Sequence, residues 1–208
     1  MKSFKQFITE EEEEEIIIPK VHMWSALLSG DKNQIIAALR SPNVTKEHID
    51  WVMKHRDSDV VELALESPHH TKEHVDLGMK HWSIFVKAAA IKSPHATKEH
   101  LDWAMGYENP YLVSEVLSSP HHTKEHVDLG MKHSSPYVVK EALRSPHHTK
   151  EHVDWAMGHD DPDIVGIALK SPHATEEQIS DAVNRWSGTW LADRAQRELD
   201  RRKYKELE

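Results

Sequence analysis

The chain of 208 residues contains no cysteine. Without thiols it cannot be a disulfide scaffold, hold zinc through thiolates or ligate an iron–sulfur cluster. Glycine is scarce, at seven residues, which leaves little material for a phosphate-cradling loop or a strained nucleophile turn. Lys and Arg number 26 against 35 Asp and Glu, a formal charge of −9. That sign argues against a general binder of nucleic-acid phosphates. No apolar run approaches the ~20 residues that span a bilayer, and no stretch has the build of a secretory signal. Hydrophobic residues make up 38% of the chain, low for a single compact core. Histidine, by contrast, is abundant at 18 residues, and full protonation of these rings reverses the sign of the net charge.

Self-comparison shows a fixed period. Ser-Pro followed by His or Asn recurs at Ser41, Ser67, Ser93, Ser119, Ser145 and Ser171, every interval being 26 residues. We number positions within a unit from 1 to 26, starting at this Ser. Position 5 is always Thr (Thr45, Thr71, Thr97, Thr123, Thr149, Thr175), a good helix N-cap. Glu follows at position 7, where the helix dipole favours negative charge. Apolar residues at 9, 12 and 13 form a helical stripe, and Lys or His at 14 and 15 suits a helix C-terminus. A second helix is expected from about position 18, often Pro (Pro110, Pro136, Pro162). Its apolar positions are 20, 21, 24 and 25, and the Pro at position 2 of the next unit stops it. The expected fold class is therefore all-α, a solenoid of 26-residue two-helix repeats in which each unit buries its apolar face only against its neighbours.

Four segments follow. Residues 1–18 lie outside the repeat, carry a glutamate run and are expected to be disordered. Residues 19–40 fit a degraded N-terminal capping unit, with Met23, Ala26 and Leu27 at positions 9, 12 and 13 and Ala38 and Leu39 at 24 and 25. Residues 41–185 are the solenoid, and residues 186–208 a charged C-terminal capping helix. Units 67 and 119 share one fifteen-residue stretch, while units 93 and 145 share Asp-Trp-Ala-Met-Gly, the mark of a duplicated two-unit block.

Each position becomes a column along the stack. Column 11 reads Trp51, Leu77, Trp103, Leu129, Trp155, then Asp181. It lies about 150° around the helix from the mean direction of the core stripe. One reading packs it against adjacent units; the other makes it an exposed stripe that anchors a partner protein. Column 8 (His48, His74, His100, His126, His152) flanks that stripe and is the second candidate contact set. Its alternative is structural, with each ring in the first helical turn bonded to a neighbouring column such as Asp at 10 or Glu at 7. A metal site would have to form inside one unit, for instance His70 with His74, because units stand about 10 Å apart. No metal and no cofactor are expected. Lys at 6 and Glu at 7 suggest weak surface ion pairs. No catalytic constellation appears, so a non-enzymatic role is expected. A polar set repeated in every unit points to scaffold.

The unit resembles the leucine-rich repeat variant family. That family opens its units with Asn-Pro-x-Thr-Pro where this chain has Ser-Pro-His-His-Thr, and follows with two short helices. The resemblance covers residues 41 to about 185 and implies a right-handed superhelix with an interaction role. The units here are longer, and the absence of cysteine removes the cysteine-bound iron–sulfur cluster that the family's founding member carries. The first ten residues, Met1-Lys-Ser-Phe-Lys-Gln-Phe-Ile-Thr-Glu10, resemble the N-terminal targeting peptides of T-even-like phage head proteins. That resemblance implies cleavage after Glu10 within Ile8-Thr9-Glu10. Together they lead to a phage-encoded protein-binding scaffold attached to the virion. The alternatives are a host-directed inhibitor or adaptor in the bacterial cytoplasm, and a His-rich protein responsive to metal or pH. The partner expected is another protein, not nucleic acid or membrane.

Overall fold

The computed structural model describes residues 18–205. They form one 3₁₀ turn, Lys20–His22, and fourteen α-helices, with no strand among the described residues. The N-terminal cap is α1 (Met23–Leu27) with α2 (Lys32–Arg40). First helices of the repeats are α3 (Lys46–Val52), α5 (Lys72–Lys80), α7 (Lys98–Met105), α9 (Lys124–Gly130) and α11 (Lys150–Met157). Second helices are α4 (Ser58–Glu66), α6 (Ile84–Lys92), α8 (Pro110–Ser118), α10 (Pro136–Arg144) and α12 (Pro162–Ala168). The chain closes with α13 (Glu176–Arg185) and α14 (Trp190–Lys205). The protein is an all-helical repeat solenoid whose successive helices pack on one another.

Local chemistry explains the regularity. Each first helix starts directly after its Thr. Each second helix follows an extended N-cap at position 17, either Asp, Asn or Ser, and three begin on Pro. Ser-Pro then forms a β-turn between units, with the position 4 amide donating to the Ser carbonyl, as from His70 to Ser67 at 3.1 Å. All six Ser side chains are buried.

The core is the expected set of columns. Column 9 is fully buried in every unit (Ile49, Val75, Leu101, Val127, Val153, Ile179), as is column 20 (Val60, Val86, Leu112, Val138, Ile164). Column 12 alternates between Gly and larger residues for a steric reason. A Cβ added at Gly78 would meet Leu65 Cδ1 at 2.9 Å, and at Gly130 it would meet Leu117 Cδ1 at 2.9 Å. These glycines let a first helix settle onto the leucine of the preceding unit.

Both ends are closed. Met23 and Leu27 are fully buried in the N-terminal cap. The Ile18 carbonyl accepts from Ser41 Oγ at 3.1 Å and Asn43 Nδ2 at 2.9 Å, so the fold takes in this residue. At the other end α14 lays Leu191 and Ala195 on the last units. Arg202 donates to the Ser171 carbonyl at 2.9 Å and is held by Glu198 at 2.9 Å. The proposed cleavage site at Glu10 and the glutamate run lie outside the described residues.

Candidate partner-binding face

Column 11 projects from the first-helix layer. Leu77, Trp103, Leu129 and Trp155 are 48, 45, 52 and 47% exposed. Trp51 is half-buried and packs against the core. Each Trp leans on the ring four residues later, just past the end of its helix. The centroid separations are 6.1 Å for Trp51 and His55, 4.7 Å for Trp103 and Tyr107, and 4.9 Å for Trp155 and His159. This brace limits the rotamers of a side chain that is half in water. The column is thus a row of pre-positioned, alternating Trp and Leu side chains.

The column 8 imidazoles do not share that face. His48, His74 and His126 are buried, and His100 and His152 show little surface. They are structural rungs. In each, Nδ1 accepts the amide proton of the N-cap Thr at 2.9–3.1 Å, which completes a capping box with His in the place usually held by Glu or Gln. With Nδ1 accepting, the ring proton sits on Nε2 and is donated to the Asp at position 10 of the preceding unit. The distances are 2.7 Å for His74 to Asp50, 2.6 Å for His100 to Asp76, 2.9 Å for His126 to Asp102 and 2.8 Å for His152 to Asp128. Gln178 continues the ladder to Asp154 at 2.6 Å. His48 has no such Asp, because Trp24 stands at that position and packs its ring edge-on at 4.7 Å.

Each Asp also accepts from the Lys at position 6 of its own helix, from 2.7 Å at Lys150 to 3.1 Å at Lys72. The lysines therefore pair one turn along their helix with Asp, rather than with the adjacent Glu. The Glu side chains instead accept from the Thr hydroxyl, as Glu73 does from Thr71 at 2.5 Å. Hydrogen bonds from His74 and then Lys46 hold the Asp50 carboxyl below its ordinary range, and Asp76 is lowered first by His100. Burial pushes His48 and His126 below the usual imidazole value; in His126 this outweighs the opposing pull of Asp102.

The other histidine columns are equally engaged. At position 15, Nδ1 of His55, His81, His133 and His159 accepts the amide proton of position 17 at 2.9–3.1 Å, shaping the turn into the second helix. At position 4, His70, His122 and His148 donate from Nδ1 to their own Ser carbonyl and meet the Ser hydroxyl of the next unit through Nε2 at 2.6–2.7 Å. Both nitrogens of His70 and of His74 are thus committed, to different partners. Among the described residues no three His, Asp or Glu side chains converge as a metal-binding group.

Two features of the second helices were missed by sequence reasoning. Column 19 on the second helices carries exposed Phe85, Tyr111 and Tyr137, with Phe85 and Tyr111 rings 5.8 Å apart. Column 21, otherwise Val, holds the buried Lys87. Both would have emerged from reading columns 19 and 21 of the second helix unit by unit, where position 21 was expected to be apolar throughout.

No protein-family profile, curated protein or solved structure matches the chain. The class is defined by the structure alone: a two-helix-repeat α-solenoid. Among the described residues no helix is long and apolar enough to cross a membrane.

Proposed function

We propose that the protein is a non-enzymatic scaffold that binds another protein through column 11. The observation that supports this reading is the row of half-exposed Leu77, Trp103, Leu129 and Trp155 on one layer, where a solvated helix face would normally be polar. Rows of Trp in a polar surround are the usual anchors of protein interfaces. The ladder of His, Asp and Lys beside the row fixes the spacing of the units and so the spacing of the anchors.

The test follows from burial. Trp103→Ala and Trp155→Ala abolish partner capture and leave helical circular dichroism intact, whereas the half-buried Trp51→Ala lowers thermal stability as well. Undiminished capture by the Trp103/Trp155 double variant would sink the reading. The resemblance of Met1–Glu10 to phage head-targeting peptides supports assignment to a virion. Mass spectrometry of purified virions then finds a peptide beginning at Glu11; the intact chain found only in infected-cell cytoplasm would favour the host-directed role instead.

A further inference from the structure

Between units 119 and 145 the first-helix layer opens into a pocket of about 420 Å³. Its walls are Met131, Pro136, Val139 and Ile164, and its mouth is framed by His133, Trp155 and His159. In unit positions these are 13, 15, 18 and 21 of one repeat and 11, 15 and 20 of the next.

The same location two units earlier is filled by the chain itself. There position 21 is Lys87 rather than Val. Its stem is buried, its Nζ donates to the His81 carbonyl at position 15, and the ammonium lies 5.8 Å from the Trp103 ring centre and 5.9 Å from that of Tyr107. Those rings are positions 11 and 15 of the following repeat, the counterparts of Trp155 and His159. The junction after unit 145 is filled as well. Arg185 donates to the Met157 carbonyl at 3.2 Å and the His159 carbonyl at 3.0 Å, with its guanidinium 5.4 Å from the Trp186 ring centre. Position 15 follows the end of the first helix, where unpaired carbonyls give negative potential. An aromatic face beside such carbonyls is a site for a cation on an apolar stem.

We propose that the pocket between His133 and Trp155 receives a lysine side chain of the partner protein, seated as Lys87 is seated in its own junction. The ammonium donates to the His133 carbonyl, and the alkyl stem lies along Pro136 and the half-exposed Trp155. Lys132 at the rim does not oppose this, since Lys80 holds the same position beside Lys87 and both are exposed. The proposal deepens the docking reading of column 11, which supplies the partner, but the pocket is testable without one.

The probe is Nα-acetyl-lysine methylamide, followed through the indole N–H resonances of the full chain, with the norleucine analogue as a control. The lysine compound produces a saturable shift at Trp155, on the order of millimolar affinity for one isolated side chain, and norleucine produces none. Val139→Lys plugs the pocket and removes the shift. Lys87→Val restores the apolar column, opens the second junction and adds a saturable shift at Trp103. An absent shift at Trp155, an equal response to norleucine, or no new site in Lys87→Val would each overturn the proposal. Should Val139→Lys fail to fold, the gained site in Lys87→Val remains decisive. A saturable lysine shift at Trp155 in the wild-type chain, together with undiminished partner capture by the Trp103/Trp155 variant, would refute the docking reading and leave the pocket standing.

Discussion

His126 accepts the Thr123 amide proton through Nδ1 and donates to Asp102 through Nε2, so one ring caps its own helix and ties it to the preceding unit. Replacing it by Ala leaves a buried amide and a gap, at a cost of about 2–3 kcal/mol. Gln does the same work at position 178, accepting the Thr175 amide proton and donating to Asp154. His126→Gln therefore recovers most of that loss, as urea midpoints of the two variants will show. The exposed lysines behave differently. Lys98→Ala removes a solvated pair with Asp102 and leaves the midpoint unchanged, since such pairs add little in water.

Helices were largely legible in the sequence because their signals are local. Thr at position 5, Pro at 18 and Ser-Pro at 1 and 2 set boundaries that the structure reproduces in α5 to α12. The period did the rest, turning one helical stripe into a continuous core. The direction of column 8 was not legible. A helical wheel cannot tell whether a first-turn histidine turns outward or back onto its own N-cap. Thr175-Glu-Glu-Gln178 held the clue, because it is a standard capping box in the same register. Lys87 was hidden for another reason: periodicity assigns a column, and a lone exception is read as noise. At the C-terminus, α14 packs on α12 and α13, with Trp190 and Leu191 set against Gly166. Deleting residues 190–205 uncovers an apolar solenoid end, and light scattering will register self-association of the truncated chain.

Across the whole molecule, pH acts through four imidazoles spread over different units. His48, His70, His81 and His126 have folded pKa values lowered by burial. In the unfolded chain they titrate near 6.5, so unfolding takes up protons below that value. Their stabilising contribution is complete above about pH 6.5 and is lost as pH falls through the depressed folded values. Protonation at Nδ1 also destroys the acceptor that His48, His81 and His126 provide. The Asp50 and Asp76 carboxyls, lowered by their His and Lys partners, add a second loss in the same direction at lower pH. Thermal midpoints measured from pH 7.5 downward will fall first in the imidazole window and again in the carboxylate window. A flat profile between pH 7 and 5 would contradict the buried-acceptor assignment.

The missing rung at Trp24 has a consequence for how the molecule comes apart. Every later junction is stapled by an imidazole or amide reaching back to an aspartate, but His48 meets only an indole edge, and α1 has five residues. The opposite end is locked by α14 and its Arg202 clasp. Opening is therefore polarised: the protein peels from its amino-terminal end, and amides of α1 and α3 exchange with deuterium well before those of α11 and α13.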